Sequence, residues 1–368
     1  MPEKLNVAIA GAGLISHFHR RGATLAGANI RGVLASSPER SAAAAETYGL
    51  PRGYESFDAL LADDIDVVHI ASPNDSHAPF ALAALAAGKH VICEKPLGRS
   101  VLEARRMADA ATAAGLVGAV PFVYRFHPMV REVRARVRDG RLGRLALVHG
   151  SYLQDWMLPS ETANWRVDPL AGGQSRAFAD IGSHWIDLVE WVTGVRFAEA
   201  VGATSILFEE RPTRSGGSAP VVTEDSATLM LRSASGLVAN VVASQVAAGR
   251  KNRLWFEIDG SEGSAVFDQE YPDSLWLGGY EANTQFLRGA TAGGAEMERL
   301  SRMPAGHSQG YADAFDAFIA DTYAMVRGDA SEAQRDGVAT FEDGARAASV
   351  TQALLDSVST GRWAPIGG

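Results

Sequence analysis

The tripeptide Glu94-Lys95-Pro96 combines an acid, a base and a rigid residue after an apolar run. The chain has four lysines against thirty arginines, so a lysine at this position departs from the strong preference of the chain for arginine as its cationic side chain. An ammonium is a compact charge whose pKa shifts readily, which suits it to chemistry that a guanidinium cannot do. Residues 90–93 predict a buried strand, and open α/β sheets bind ligands at the carboxyl ends of their strands. Lys95 is therefore either a reactive cation in a site or an ion-pair partner of Glu94.

A second polar set, Asp180, His184 and Asp187, recurs at spacings of four and three within an otherwise apolar stretch. That spacing places the three side chains on one face of a helix. Tryptophans flank the set and no lysine or arginine accompanies it, which favours a site over a solvent-facing stripe. Gly182 costs about 1 kcal/mol relative to alanine inside a helix, so we expect close packing against it.

A third group places amide, carboxylate and indole side chains in two short segments. Its members are Tyr152, Gln154, Asp155 and Trp156, followed by Asn164, Trp165 and Arg166. Aromatic faces cover the C–H surface of a sugar, and polar groups pair with its hydroxyls. The segments are therefore interpreted as binding a polyhydroxylated ligand, with core positions for Trp156 and Trp165 as the alternative.

A glycine loop follows the first predicted strand and opens a helix. Gly11 permits the tight turn, and Gly13 lets the amides of Leu14 and Ile15 approach a pyrophosphate at the positive end of the helix. Ser16 stands where such loops usually carry a third glycine, a position that mainly serves packing. The context predicts nucleotide binding.

The end of the second strand indicates which nicotinamide cofactor is bound. No carboxylate stands there to accept bonds from the ribose hydroxyls of NAD. Ser36, Ser37 and Arg40 instead offer hydroxyls and a guanidinium for a phosphate, which favours NADP over NAD. The alternative is that Ser37 caps the next helix and Arg40 is merely solvated.

The elements that must position these residues follow two patterns. Strands at 5–10, 30–35, 66–71, 90–93 and 116–120 alternate with helices at 38–48, 56–61, 76–87 and 101–114, after a first helix that ends near residue 26. This alternation predicts a parallel sheet and a dinucleotide-binding domain over residues 1–122. Alternating runs after a helix at 129–138 predict a largely antiparallel open sheet covered by helices, an α+β domain over residues 123–368. Helices at 309–326 and 341–359 close the chain, and packing on the first domain is one option for them.

Composition narrows the function classes. A net charge of −9 without a basic stripe argues against nucleic acid as a partner. The start of the chain shows no signal segment, and no window predicts a membrane helix. The single cysteine, Cys93, is interpreted as a buried thiol and fits a reducing cytoplasm. No cluster with metal-ligand spacing is evident, so we expect no metal.

Taken together, the motifs resemble the glucose–fructose oxidoreductase, inositol dehydrogenase and MocA family, over the whole chain and in the family's order. The matching elements are Gly11-Ala12-Gly13, Ser72-Pro73-Asn74 with His77, residues 87–90 leading into Glu94-Lys95-Pro96, and Asp180 with His184. The segment from Tyr152 to Trp156 and Trp165-Arg166 are similar to a branch that acts on sugars and anhydrosugars. Val123 departs from the pattern, because relatives often carry asparagine before Tyr124-Arg125.

The resemblance implies a Rossmann domain, a second α+β domain and hydride transfer between NAD or NADP and a secondary alcohol of a sugar, anhydrosugar, glycoside or polyol. It implies that Lys95, Asp180 and His184 are catalytic and that Trp165 and Arg166 lie near the nicotinamide. Ser72, Pro73, Asn74, His77, Glu94 and Lys95 join the cofactor set. Tyr124, Arg125, Asp180 and His184 join the substrate set. It also implies a homodimer or homotetramer formed through the second-domain sheet. The alternatives are an NAD-dependent enzyme that cleaves glycosides by transient oxidation, and a regulatory protein without catalysis.

Overall fold

The computed structural model describes residues 4–213, 216–290 and 292–367. Its elements run β1 (Asn6–Ala10), α1 (Leu14–Leu25), β2 (Asn29–Leu34), α2 (Pro38–Tyr48), α3 (Phe57–Leu61), β3 (Val67–Ile70), α4 (His77–Ala86), β4 (His90–Cys93), α5 (Val101–Ala114), β5 (Gly118–Ala119), α6 (Pro128–Arg138), β6 (Leu145–Leu153), α7 (Pro169–Gly172), α8 (Ser183–Thr193), β7 (Phe197–Ser205), β8 (Glu210–Pro212), β9 (Ser218–Pro220), β10 (Ser226–Ser233), β11 (Val238–Ser244), β12 (Arg253–Gly260), β13 (Gly263–Asp268), β14 (Ser274–Gly278), β15 (Thr284–Leu287), α9 (Ala295–Leu300), α10 (Tyr311–Arg327), α11 (Glu332–Gly337), α12 (Phe341–Thr360) and β16 (Ala364–Pro365). Among the described residues, no helix is both long and apolar enough to cross a membrane.

Two compact units divide the chain. One contains the residues up to Phe126 together with Tyr311–Ala345, and the other contains His127–Gly310 and the residues from Arg346 onward. The predicted boundary between residues 122 and 123 stays a prediction. Helices α10 and α11 belong to the first unit, and the boundary between the units falls within α12, after Ala345.

The first unit is built on a five-stranded sheet in the order β2-β1-β3-β4-β5, with every pair parallel. Its strands are largely apolar, as expected where helices cover both faces of a sheet. The strand order reverses between β1 and β3, and ligands bind at such switch points. The loop after β1 and the loop after β3 therefore begin at the edge where a nucleotide is expected.

Helix α10 covers α1 in this unit. A Cβ on Gly22 would lie 2.8 Å from the side chain of Ile319, so the glycine lets the two helices approach closely. The ring of Phe18 lies 5.8 Å from that of Phe315. Helix α10 thus completes the packing of the nucleotide domain although it lies far along the chain.

The second unit is built on a nine-stranded sheet in the order β15-β14-β13-β12-β6-β11-β10-β7-β16, antiparallel except for the pair β6 and β11. Alternating burial along β10 and β12 marks one face as core and the other as open. Helix α8 packs on the core face, where Trp185 Nε1 donates to the carbonyl of Trp255 at 2.9 Å. Together the two sheets confirm the predicted fold class.

Several short strands were missed by the sequence-based predictions. Strands β8 and β9 pair with each other over Glu210–Pro212 and Ser218–Pro220. Strands of three residues that contain proline show no alternation, which hides them from pattern analysis. Strands β14 and β15 were likewise missed. At the start of α5, Ser100 accepts from the Glu103 amide, and the Glu103 carboxylate accepts from the Arg99 amide.

Candidate active site and cofactor site

The glycine loop has the shape that a dinucleotide requires. Gly11 has φ of +127°, and a Cβ there would lie 2.3 Å from the carbonyl oxygen of Ala71. The loop after β1 therefore rests directly on the backbone at the end of β3. Gly13 caps α1 without a side-chain bond, and Leu14 is 82% exposed. Because the first-turn amides of a helix have no intrahelical partner, this end fits a pyrophosphate.

Ser16 replaces the third glycine without loss of packing. Its side chain is buried, and its hydroxyl donates to the Gly13 carbonyl at 2.5 Å. The hydroxyl thus fastens the loop to the helix that follows it, a role that the motif alone does not reveal.

At the tip of β2, the capping role of Ser37 is confirmed, and the preference for NADP stays a prediction. Ser37 caps α2 by accepting from the Arg40 amide at 3.3 Å, as the alternative expected. The Arg40 guanidinium meanwhile donates to the Ser36 hydroxyl at 2.9 Å. Arg40 is exposed, so a guanidinium and a hydroxyl stand side by side at the surface next to the glycine loop's strand.

The imidazole of His77 contacts two backbone carbonyls, one of which belongs to the Ser72-Pro73-Asn74 segment. Its Nδ1 lies 2.9 Å from the Pro96 carbonyl and its Nε2 lies 3.0 Å from the Ser72 carbonyl. Burial lowers the pKa of His77, and these two carbonyls oppose that shift only in part. The ring joins the ends of β3 and β4, at the sheet edge where the cofactor is predicted to bind.

Glu94 and Cys93 show what surrounds Lys95. The Glu94 carboxylate is buried, with one oxygen 3.2 Å from the Lys95 amide and the other 3.2 Å from His19 Nε2. The Cys93 thiol is fully buried. Burial raises its pKa well above the ordinary value, and the nearby charge of Glu94 raises it further. The interpretation of Cys93 as a buried thiol is confirmed.

The spacing predicts that Asp180 and His184 lie on one regular α-helix, but the two residues lie in different helical segments. A π-helical turn over Phe178–Gly182 carries Asp180 and leads into α8, which carries His184. Asp180, His184 and Asp187 are all buried, so the solvent-facing alternative is wrong. A Cβ on Gly182 would lie 2.5 Å from the Phe178 ring, which confirms the expected close packing. Single π turns are frequent at functional sites.

Asp180 is held by Gln245, which the sequence did not single out, and lies close to Arg166, which it did. Gln245 Nε2 donates to one of its oxygens at 2.7 Å, and Arg166 Nε lies 3.6 Å from the other. The Gln245 carbonyl accepts from Arg176, whose guanidinium pairs with Asp225. Gln245, Arg176 and Asp225 are fully or almost fully buried. The Asp180 carboxylate is therefore fixed in direction by a chain of buried polar side chains.

Glu224 holds the backbone that enters the π turn. Its carboxylate accepts from the Ser175 hydroxyl at 2.7 Å and from the amides of Arg176 and Phe178 at 3.1 and 2.9 Å. One signal was present in the sequence: two adjacent acids, Glu224 and Asp225, directly precede an alternating strand. Acids at the start of a buried strand need partners, and these acids find theirs around Asp180.

The predicted sugar-binding segment begins on β6 and continues beyond it. Tyr152 lies on that strand, whereas Gln154, Asp155 and Trp156 follow its end at Leu153. The Gln154 amide donates to the Ser244 carbonyl. Asn252 Oδ1 accepts from the Tyr152 hydroxyl at 2.7 Å and from Gln154 at 2.8 Å, and Trp156 Nε1 donates to Gln154 at 2.9 Å. Trp156 is half-buried, so a fully buried core position for it is wrong. The Tyr152 ring lies 6.1 Å from the His184 ring, which joins this network to the buried histidine.

Other predicted substrate residues already have structural partners. The Asp155 carboxylate accepts from Lys251 Nζ at 2.6 Å, which lowers its pKa. Asn164 caps the short turn at Trp165–Val167, and the Arg166 guanidinium lies 4.5 Å from the centre of the Trp165 ring.

Tyr124 and Arg125 lie in the first unit. Both are buried, and the Arg125 guanidinium lies 3.3 Å from the Asp343 carboxylate. These contacts leave the substrate roles of both residues as predictions.

One group among the described residues has the spacing of metal ligands. His149, Glu257 and Asp259 lie on the open face of the second sheet, with His149 Nε2 3.6 and 3.7 Å from the two carboxylates. All three are partly exposed. Burial and the charge of Asp259 raise the pKa of Glu257.

Comparison with known proteins identifies the family. Residues 5–122 match the oxidoreductase family with an NAD-binding Rossmann fold, and residues 130–266 match the GFO/IDH/MocA C-terminal domain. The chain is 32% identical to levoglucosan dehydrogenase of Pseudarthrobacter phenanthrenivorans over 99% of this chain and 98% of that protein. It is 30% identical to 1,5-anhydro-D-fructose reductase of Ensifer adhaerens over 92% of each. A levoglucosan dehydrogenase structure in complex with NADH and levoglucosan superposes with a TM-score of 0.89, at 31% identity, over 99% of this chain and 100% of that one. The chain belongs to the GFO/IDH/MocA family of NAD(P)-dependent oxidoreductases, as its motifs predicted.

Proposed function

We propose that this protein oxidises a secondary alcohol of an anhydrosugar such as levoglucosan, or of a closely related sugar or polyol, with NAD or NADP as hydride acceptor. The observation that carries the proposal is similarity to levoglucosan dehydrogenase over nearly the full length of both chains. The polar network of Tyr152, Gln154 and Asn252 beside the half-buried Trp156 supports it, because such groups suit a compact polyhydroxylated ligand.

Lys95, Asp180 and His184 are the proposed catalytic residues. Oxidation of an alcohol removes a hydride from carbon and a proton from oxygen, and the nicotinamide supplies the hydride chemistry. An imidazole exchanges protons near neutral pH, so His184 takes the hydroxyl proton. Lys95 donates a hydrogen bond to the reacting oxygen and stabilises the charge that develops there. Asp180, fixed by Gln245, orients the proton-transfer group.

NADP is the proposed preferred cofactor. The support is the pair of Ser36 and Arg40, which offers a hydroxyl and a guanidinium at the β2 tip without a competing carboxylate. Ser36→Asp should raise the KM for NADP far more than that for NAD, because a new carboxylate would repel the 2′-phosphate. Arg40→Ala should act in the same direction. Equal effects on both cofactors would show that this tip does not contact the 2′ position.

The decisive test is a substrate panel assayed by nicotinamide absorbance with both cofactors. It includes levoglucosan, myo-inositol, glucose and xylose for oxidation and 1,5-anhydro-D-fructose for reduction. We expect turnover of at least one member, abolished by Lys95→Ala with cofactor binding retained. His184→Asn should reduce kcat by about 10²–10⁴-fold. Release of free sugar from glycosides without net cofactor reduction would instead indicate glycoside cleavage, and cofactor binding without any turnover would indicate a regulatory protein.

Self-association through the open face of the second sheet is also proposed. Several apolar side chains are exposed there: Leu147, Met230, Val238, Val242 and Trp276. Exposed apolar patches of this kind mark protein interfaces. Light scattering should give the mass of a dimer or tetramer, and Val242→Glu should reduce it while leaving the fold intact. A monomeric wild-type protein would refute the assignment.

A further inference from the structure

A line of four buried side chains runs through the first unit and ends at Glu94. Tyr323 of α10 lies with its hydroxyl 2.8 Å from His69 Nε2, on β3. His69 Nδ1 lies 3.0 Å from Nδ1 of His19, on α1. His19 Nε2 lies 3.2 Å from one Glu94 oxygen, and the other oxygen accepts from the Lys95 amide at 3.2 Å. All four side chains are at least nine-tenths buried.

The protons in this line can be placed by requiring that every donor has an acceptor. If Tyr323 donates to His69 Nε2, then His69 carries its proton on Nδ1 and donates to His19 Nδ1. His19 then carries its proton on Nε2 and donates to an ionised Glu94 carboxylate. Both rings are neutral, and each hydrogen bond is made once.

The reverse direction fails this requirement. With His69 donating through Nε2 and His19 through Nδ1, the bare Nε2 of His19 would face the Glu94 carboxylate, which would have to be protonated. The Tyr323 proton would then need an acceptor other than His69, and among the described residues no such acceptor is found. An unsatisfied buried donor costs more than a hydrogen bond contributes.

We propose that Tyr323, His69 and His19 form a directional hydrogen-bond chain that orients the Glu94 carboxylate, so that Glu94 holds the backbone of Lys95 in place. These are positioning residues, since the chain reaches the proposed catalytic lysine only through Glu94. The inference rests on the proposed function of Lys95. Burial lowers the pKa of His69 well below its ordinary value, in keeping with a neutral ring. Other titratable groups close to Glu94 are His77 and Cys93, and Arg327 acts on Tyr323.

The tautomers provide a direct test that does not depend on turnover. The protein is labelled with ¹⁵N-histidine, and its ring nitrogens are observed by NMR at pH 7, with His19→Gln and His69→Gln used for assignment. We expect His69 as the Nδ1–H tautomer, which is the minor form in water, and His19 as the Nε2–H tautomer. Either ring found as imidazolium, or with the opposite tautomer, overturns the chain.

Kinetics then test the connection to Lys95. His19→Leu removes the donor to Glu94 and should lower kcat by roughly 10- to 100-fold, the range for losing a bond to a buried charge, while the KM for the cofactor changes little. His19→Gln, which retains an N–H near the Nε2 position, should recover most of that loss. His17→Leu, an exposed histidine on the same helix, is the matched control and should behave as wild type. Equal losses in His19→Leu and His19→Gln overturn the positioning role. If Lys95→Ala keeps full turnover, the proposed function fails instead, while the tautomer result stands.

Discussion

Gln245 gives the sharpest test of how the second unit prepares its proposed catalytic carboxylate. Its amide nitrogen donates to Asp180 at 2.7 Å, and its carbonyl accepts from Arg176 at 3.2 Å. Gln245→Met keeps the length and volume of the side chain but removes both bonds. A hydrogen bond to a charged group contributes about 1.5–3 kcal/mol, so the loss at Asp180 corresponds to roughly 10- to 150-fold in rate. We expect kcat to fall by that amount, with cofactor affinity nearly unchanged because the cofactor loops lie in the other unit.

The assay compares steady-state kinetics, cofactor titration and thermal unfolding for this variant and a matched control. Gln309 is also buried, with its amide bonded to the carbonyl of Leu300 and to the Met303 amide. Gln309→Met should lower the melting temperature without a comparable loss of kcat. If both variants lose the same fraction of kcat, the effect of Gln245 is general destabilisation. If Gln245→Met keeps wild-type kcat, Asp180 does not need its fixed orientation and our reasoning is refuted.

Two further predictions concern stability. Gly182→Ala should destabilise the fold by about 1–3 kcal/mol, because the new methyl would lie 2.5 Å from the Phe178 ring. In the control Gly310→Ala, the new methyl meets nothing within 4 Å. Equal unfolding midpoints of the two variants in denaturant would contradict the packing argument. Burial raises the pKa of Asp343, but the charge of Arg125 and the hydrogen bonds it receives outweigh burial and leave that pKa lowered. The contribution of Asp343 is therefore fully present above its unfolded pKa and is lost as the pH falls through the lower folded value. Melting temperatures measured between about pH 6 and pH 3 should fall more steeply in wild type than in Asp343→Asn, and parallel curves would rule out this contribution.

Much of the first unit could be predicted because its signals are local. Strand β4 and helices α2 and α5 begin and end where periodicity and capping residues placed them, since a Ser-Pro start and a glycine after the last turn act within a few residues. The glycine loop was equally legible, because only glycine tolerates the conformation and contact found at Gly11. Short strands such as β8 and β9 gave no comparable signal.

The candidate sites show the same difference between features that have a local sequence signal and features that do not. The sequence by itself predicted which side chains have chemistry to offer, namely Lys95, Asp180 and His184, because unusual residue types in apolar or glycine-rich surroundings are visible one segment at a time. Only the tertiary structure decided what holds them. Gln245 lies 65 residues from Asp180, and Tyr323 lies 254 residues from His69. Such partners are brought together by sheet pairing and helix packing, and a buried polar atom must find some donor or acceptor there without any spacing rule to announce which one.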